Sequence, residues 1–407
     1  MSSVQNMMKR LQRMEFPECT REALRYIVST FASQDGPAIP GLNEGPEVVV
    51  GEICQAFVLF KTKRGIKVLS ALHELQLLEL LCGCFKAAPE KYKYRIFQLM
   101  FGNRGDEHAN TLLTKLVSMA LSVSCTSVLD CAAIWMQERS CHSSDSLLLT
   151  SRLVEDYCLL FPDPSNVFHR LPSISPLFVC NFTTAVTALF TFNSQESVPP
   201  LSLLEHVTSW VTSDCTLCCE SIRQVGIHGT CSSPIPGLMS WCVLGPVVCT
   251  HLLNRMPPKE KASSKGGKVC RASLTKTLSI LSKLHLGVLQ SLDFCRSSSL
   301  SQCLLNVTDA MCLVTQLSEL LQRVRVEGGA LGLGEEVEGV VDMAMERLAQ
   351  VLQVAKMAGC LMVQRGSMSE LASMALKHLP NNRLLNMVVA VPTDRQQSLR
   401  HIPMETS

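Results

Sequence analysis

The stretch ALHELQLLELLCGCFK, residues 71–86, has almost no polar side. Wound as an α-helix, it gathers Gln76, Glu79, Gly83 and Lys86 into one narrow stripe at spacings of three and four. Leu72, Leu75, Leu77, Leu78, Leu80, Leu81, Cys82 and Phe85 cover the rest. A surface helix needs an apolar face only about a third of the way round. The remainder of this one needs a cover, from neighbouring helices or from another molecule.

The pattern continues on both sides. Segment 302–325 places Leu304, Val307, Met311, Val314, Leu321 and Val324 near one face, with Leu313, Leu317 and Leu320 flanking it. Segment 337–362 repeats the theme with Val337, Val341, Ala344, Leu348, Leu352, Ala355 and Met362. Segment 110–137 is long enough for two helices, with a break predicted in SVSCTS (122–127). Only VVVGEICQAFVLF (48–60) and LLNMVVAV (384–391) suit strands, and both suit buried helices equally well. Pro/Gly/Asn clusters such as DGPAIPGLNEGP (35–46), FGNRGDE (101–107) and FPDPSN (161–166) supply the breaks. The expected fold class is all-α: an irregular helical solenoid of HEAT-like helix pairs, in which neighbours bury one another's broad apolar faces.

Segment 254–276, NRMPPKEKASSKGGKVCRASLTK, exchanges Leu and Val for Pro, Gly, Ser and Lys. It divides the reading into a helical-repeat block over 1–253, a disordered basic linker over 254–273 and a carboxy-terminal helical block over 274–391. A short polar tail follows over 392–407.

Apolar residues make up 47% of the 407 and charged residues only 18%, below the roughly 25% of an average soluble domain. A membrane protein or a chain that buries its surplus against itself and partners would both fit. A spanning helix needs about 20 apolar residues. WCVLGPVVCTHLL (241–253) is shorter, contains His251 and is interrupted at Gly245–Pro246, so no span is expected there. The amino terminus has basic residues without an apolar core behind them, so no signal peptide is expected either. Twenty cysteines lie mostly within apolar runs, the distribution of free buried thiols in a reducing compartment. A net charge of +2 demands neither nucleic acid nor an anionic membrane.

Three segments carry candidate chemistry. Cys215-x-x-Cys218 with His228-x-x-Cys231 supplies four ligands of the kind that close a tetrahedral zinc; the competing reading is ordinary thiols at a helix end. KYKYR (91–95) interleaves Lys91, Lys93 and Arg95 with two tyrosines, a pattern that stacks on and neutralises a nucleic-acid strand. Such a run is more often the solvated side of a helix, and the lysines of 255–276 read more as a solvated linker than as charge-based contacts or an import signal. EGGALGLGEE (327–336) lacks the Lys-Ser/Thr ending of a phosphate loop and reads as a connection between helices. No Ser-His-Asp, HExxH or GxSxG set is present, so neither an enzyme nor a cofactor is expected; a buried cysteine nucleophile is the one catalytic reading left.

A set of helical blocks resembles the Integrator complex subunit 15 family. They are ELQLLELLC (74–82), LLTKLVSMALSV (112–123), VLDCAAIWMQ (128–137), VEDYCLL (154–160), PPLSLLEHVTSWV (199–211), SKLHLGVLQSL (282–292), ERLAQVLQVAKMAG (346–359) and LPNNRLLNMVV (379–389). None is a catalytic motif, and the cysteine-rich segment 215–231 is not a hallmark of the family. The resemblance implies a non-enzymatic, all-helical nuclear scaffold whose partners are other Integrator subunits. It would join the module of subunits 10, 13 and 14 to the rest of an assembly that attenuates RNA polymerase II transcription and processes small nuclear RNA 3′ ends.

Overall fold

The structure is a computed structural model that describes residues 3–33, 46–62, 65–160, 167–194, 197–223, 232–256, 271–297, 304–328, 335–364 and 366–390. The described residues form 18 α-helices and four two-residue strands, and the fold class is all-α.

The chain divides into two compact units: Met1–Val186 with Gln224–Ser232, and Thr187–Arg223 with Ser233–Ser407. The first contains α1 (Ser3–Gln12), α2 (Glu18–Ser33), α3 (Pro46–Phe57), β1 (Lys61–Thr62), β2 (Gly65–Ile66), α4 (Ala71–Ala87), α5 (Glu90–Phe101) and α6 (Glu107–Ser122). Then come α7 (Thr126–Arg139), α8 (Ser144–Val154), a π-helical turn (Glu155–Leu160), α9 (Leu171–Ile174) and α10 (Pro176–Leu189), within which the division falls. The second unit contains α11 (Leu201–Ser213), α12 (Glu220–Arg223), α13 (Ile235–Arg255), α14 (Arg271–Phe294), β3 (Leu305–Asn306) and α15 (Val307–Gly328). It ends with α16 (Glu335–Ala358), β4 (Leu361–Met362), α17 (Ser367–His378) and α18 (Arg383–Ala390).

These compact units do not follow the blocks drawn from composition. The basic segment joins α13 to α14, two helices that pack on each other inside one unit. Residues 257–270 of that segment lie outside the described residues. Both ambiguous apolar runs are helical, as α3 and α18. The expected break after α6 spans Val123–Cys125, and the faces read for α15 and α16 are buried except Met311, which is partly exposed. Met362 falls past the end of α16, in β4, and is exposed.

In the first unit, helices pack on near neighbours in the chain: α2 on α3, α4 on α6, α6 on α7 and α8, and α5 on α7. The end of α5 is fixed from outside its own helix. The Trp135 indole N–H donates to the Phe101 carbonyl at 2.9 Å, and Arg139 Nη2 reaches the Phe101 and Gly102 carbonyls at 3.2 and 2.7 Å. Arg139 Nη1 meets Asp145 at 3.0 Å, and the other oxygen of Asp145 accepts from Asn110 at 3.0 Å. One guanidinium thus links the ends of α5 and α7 to the starts of α6 and α8, using carbonyls that a helix C-terminus leaves without partners.

The second unit is built on α13. The helix runs through Gly245–Pro246 for 21 residues, so the apolar segment is longer than the sequence reading allowed. By length and composition it is sufficient to cross a membrane, but 72% of its most apolar window is buried inside the protein. Its cover is α14, α15 and α16. Gly245 permits the close approach, since a Cβ there would lie 2.6 Å from Leu281 Cδ1. Proline has no amide N–H, so Pro246 leaves the carbonyl four residues earlier, that of Cys242, without its helical donor. Arg347 of α16 supplies one: Nη1 donates to the Cys242 carbonyl at 2.9 Å while Nη2 donates to Ser282 of α14 at 2.8 Å. The side chain is buried.

Arg347→Leu is expected to cost about 2–4 kcal/mol, and distinctly less in a Pro246→Ala background, where an amide returns to the Cys242 carbonyl. Urea unfolding of the four proteins measures the coupling. A second expectation concerns Asp106, which caps α6 by accepting from the Ala109 N–H at 3.1 Å and pairs with Lys61. Burial alone would raise its pKa; Lys61, the Ala109 N–H and His108 outweigh that and hold it below 3.8. Its charge therefore contributes in full above 3.8 and is lost as pH falls through the lower folded-state value. In thermal melts, the gap between wild type and Asp106→Asn should be widest near neutrality and close on acidification.

Candidate functional site

Ser70 starts α4 by accepting the His73 N–H at 3.2 Å, and Pro89 follows its end. Leu77, Leu78, Leu81, Cys82 and Phe85 face the interior. The opposite side stays uncovered: Leu72 is 64% and Leu75 46% exposed, beside exposed Glu79, Gly83 and Lys86. One cleft runs along α4, and a second, between α6 and α8, reaches α4 at Leu78.

On the α2 flank is a cleft of about 590 Å³, bordered by Leu24 and Val28 with Arg21 and Arg25 above, and on the α4 side by Gln76, Glu79, Leu80 and Gly83. On the α6 flank is a cleft of about 610 Å³, with Leu78, Met119 and Leu148 among hydroxyl groups. The π-helical turn closes the second cleft. Asp156 accepts from Ser118 Oγ at 2.8 Å, and the Tyr157 hydroxyl donates to the Ser118 carbonyl at 2.7 Å. Glu155 turns away to pair with Arg152 at 2.7 Å, so the two adjacent carboxylates serve different partners. Exposed Leu148, Leu159 and Leu160 add apolar surface on α8 and the π-helical turn.

The residues singled out for nucleic acid lie on α5, and their rings turn inward. Tyr92 is only 7% exposed and packs near Phe31, while Tyr94 bonds Glu138 and lies against Phe97. Lys93 meets Glu90 at 2.6 Å and Ser127 at 2.8 Å; Lys91 covers the Tyr92 ring and Arg95 the Phe31 ring. The tyrosine faces belong to the packing of the first unit.

Of the zinc candidates, Cys215 is half-buried and Cys218 buried, at and beside a short 3-10 turn (Leu217–Cys219). His228 and Cys231 lie outside the described residues. Among the described residues, no group of three or more His, Cys, Asp and Glu side chains is placed to hold a metal. Burial pushes the thiols of Cys54, Cys131, Cys242 and Cys249 up to about 12, which keeps them protonated. Cys125 moves the other way through its hydrogen bond with Cys82, yet its Sγ is wholly buried and points at the Cys82 carbonyl at 3.7 Å, the contact of a neutral thiol.

Comparison with known proteins matches residues 5–381 to the sequence profile of Integrator complex subunit 15. The chain belongs to the Integrator complex subunit 15 family. It is 33% identical to the mouse Integrator complex subunit 15 over 408 aligned positions, 95% of this chain and 86% of the mouse protein. The human counterpart is 31% identical with the same coverage. A fruit-fly counterpart is 26% identical over 92% of this chain and 93% of its own length. The family match reaches further toward the amino terminus than the helical blocks that first suggested it, taking in α2 and hence one wall of the first cleft. That wall was missed in the sequence, where ECTREALRYIVSTFAS reads as an ordinary amphipathic helix. The one local signal was Gly83, a residue unfavourable in mid-helix on a side where a Cβ would meet nothing.

The exposed leucines predict self-association of the isolated chain; Leu72→Ser with Leu75→Ser should reduce it while changing stability by no more than about 1 kcal/mol, about 0.5 per surface position. Thermal melts and light scattering read the two effects separately.

Proposed function

We propose that the chain is a non-catalytic scaffold subunit of the nuclear Integrator complex. It joins the peripheral module of subunits 10, 13 and 14 to the remainder of the assembly, which attenuates RNA polymerase II transcription and processes small nuclear RNA 3′ ends. The observation that supports this most is the pair of exposed leucines on α4, Leu72 and Leu75, with the partly apolar α2–α4 cleft on the same helix, in a chain of the Integrator complex subunit 15 family. Subunits of lasting assemblies carry such surface because their interfaces resemble a domain core cut in half. Low charge and abundant Leu, Met and Cys agree with it.

The test is purification of an amino-terminally tagged chain from nuclear extract at moderate salt, followed by mass spectrometry. Subunits 10, 13 and 14 should be recovered in amounts comparable to the bait. A soluble nuclear chain that recovers none of them overturns the proposal.

A further inference from the structure

We propose that the cleft between α2 and α4 seats an amphipathic α-helix from a partner protein, with carboxylates on the edge facing Arg21 and Arg25 and a cation on the edge facing Glu79. The inference rests on the scaffold reading and adds the chemistry of the partner.

The shape of the cleft favours a helix. Its α2 wall runs from Pro17 through Arg21, Leu24, Arg25 and Val28, and its α4 wall from Gln76 to Ala88. Each wall extends for about three helical turns, roughly 16 Å. Between them Leu24, Val28 and Leu80 offer apolar contact, while Ser29, Gly83 and Ala87 leave room for another backbone to approach. The glycine is not required by the chain's own packing, since nothing lies within 4 Å of a Cβ built on it.

The charges select the occupant. Arg21 and Arg25 stand one turn apart on one wall and pair within their own helix with Glu18 and Glu22, Arg25 at 2.6 Å. Such exposed pairs are held weakly and exchange readily for a better-placed acid. Glu79 stands on the opposite wall. A helix with acidic residues at i and i+4 on one edge and a basic residue on the other meets both walls, whereas a polyanionic strand would satisfy the arginines and leave Glu79 opposed.

The tagged chain, carrying a photo-crosslinking benzoylphenylalanine in place of Gln76, is purified with its complex and irradiated. The expected adduct is one partner segment with apolar residues at i, i+3 and i+4 and carboxylates along one edge. Gly83→Leu fills the cleft; its melting temperature should be unchanged or higher, while adduct yield falls by about tenfold, the equivalent of roughly 1.4 kcal/mol of binding. Arg21→Glu with Arg25→Glu should lower the yield similarly. An adduct to a second copy of this chain, to nucleic acid or to a segment without carboxylates overturns the inference. So does an unchanged yield in Gly83→Leu, or no adduct while Integrator subunits still co-purify, results that leave the scaffold reading intact. If the wild-type chain recovers no Integrator subunit, it is that reading which fails.

Discussion

Carbonyl oxygens stranded at the ends and breaks of buried helices are the constraint on which this structure depends. A chain that encloses its helices in apolar side chains removes water from the very places where helical hydrogen bonding stops. An unmet carbonyl there costs as much as a lost hydrogen bond. Each compact unit answers with a guanidinium from a distant helix: Arg139 on the end of α5, and Arg347 on the carbonyl that Pro246 leaves free. Smaller versions recur at Trp241 on the Phe190 carbonyl, Thr20 on Phe57 and His108 on Leu59. Apolar burial holds the helices together, and these polar contacts decide which arrangement they hold.

Helices were legible in the residues because their period is local. The buried faces of α15 and α16 and the break between α6 and α7 follow from spacings within a single turn or two. What escaped reading depends on distant partners. The proline in α13 looked like an interruption because its compensating donor lies about a hundred residues away, on α16. The basic segment looked like a boundary because its composition changes, although the helices on either side of it pack together. The parallel pairing of Leu305 with Leu361 has no local signature at two residues per strand.

The candidate site was legible in part for the same reason. The excess of leucine on α4 could be counted, and it showed that a cover was needed. Which leucines the fold itself covers could not be counted. Leu77 and Leu78 are buried and Leu72 and Leu75 are not because α6, α7 and α2 approach the helix from particular sides. KYKYR shows the converse: of a pattern suited to stacking on bases, the Tyr92 ring lies near Phe31, from elsewhere in the chain, and the Tyr94 ring against Phe97, one turn along the same helix.

The π-helical turn at Glu155–Leu160 has a consequence for how this chain would tolerate a change of length. A π-turn is an α-helix that has taken in one extra residue without losing its continuity. The extra residue alters the direction of every side chain after it, and here Asp156 and Tyr157 both arrive on Ser118. Deleting one residue at this point would keep the helix and lose the alignment with α6. Insertions and deletions are ordinarily absorbed by loops. In VEDYCLL, register and residue type act together: the π-helical turn brings the Asp156 carboxylate and the Tyr157 hydroxyl to the same residue of α6.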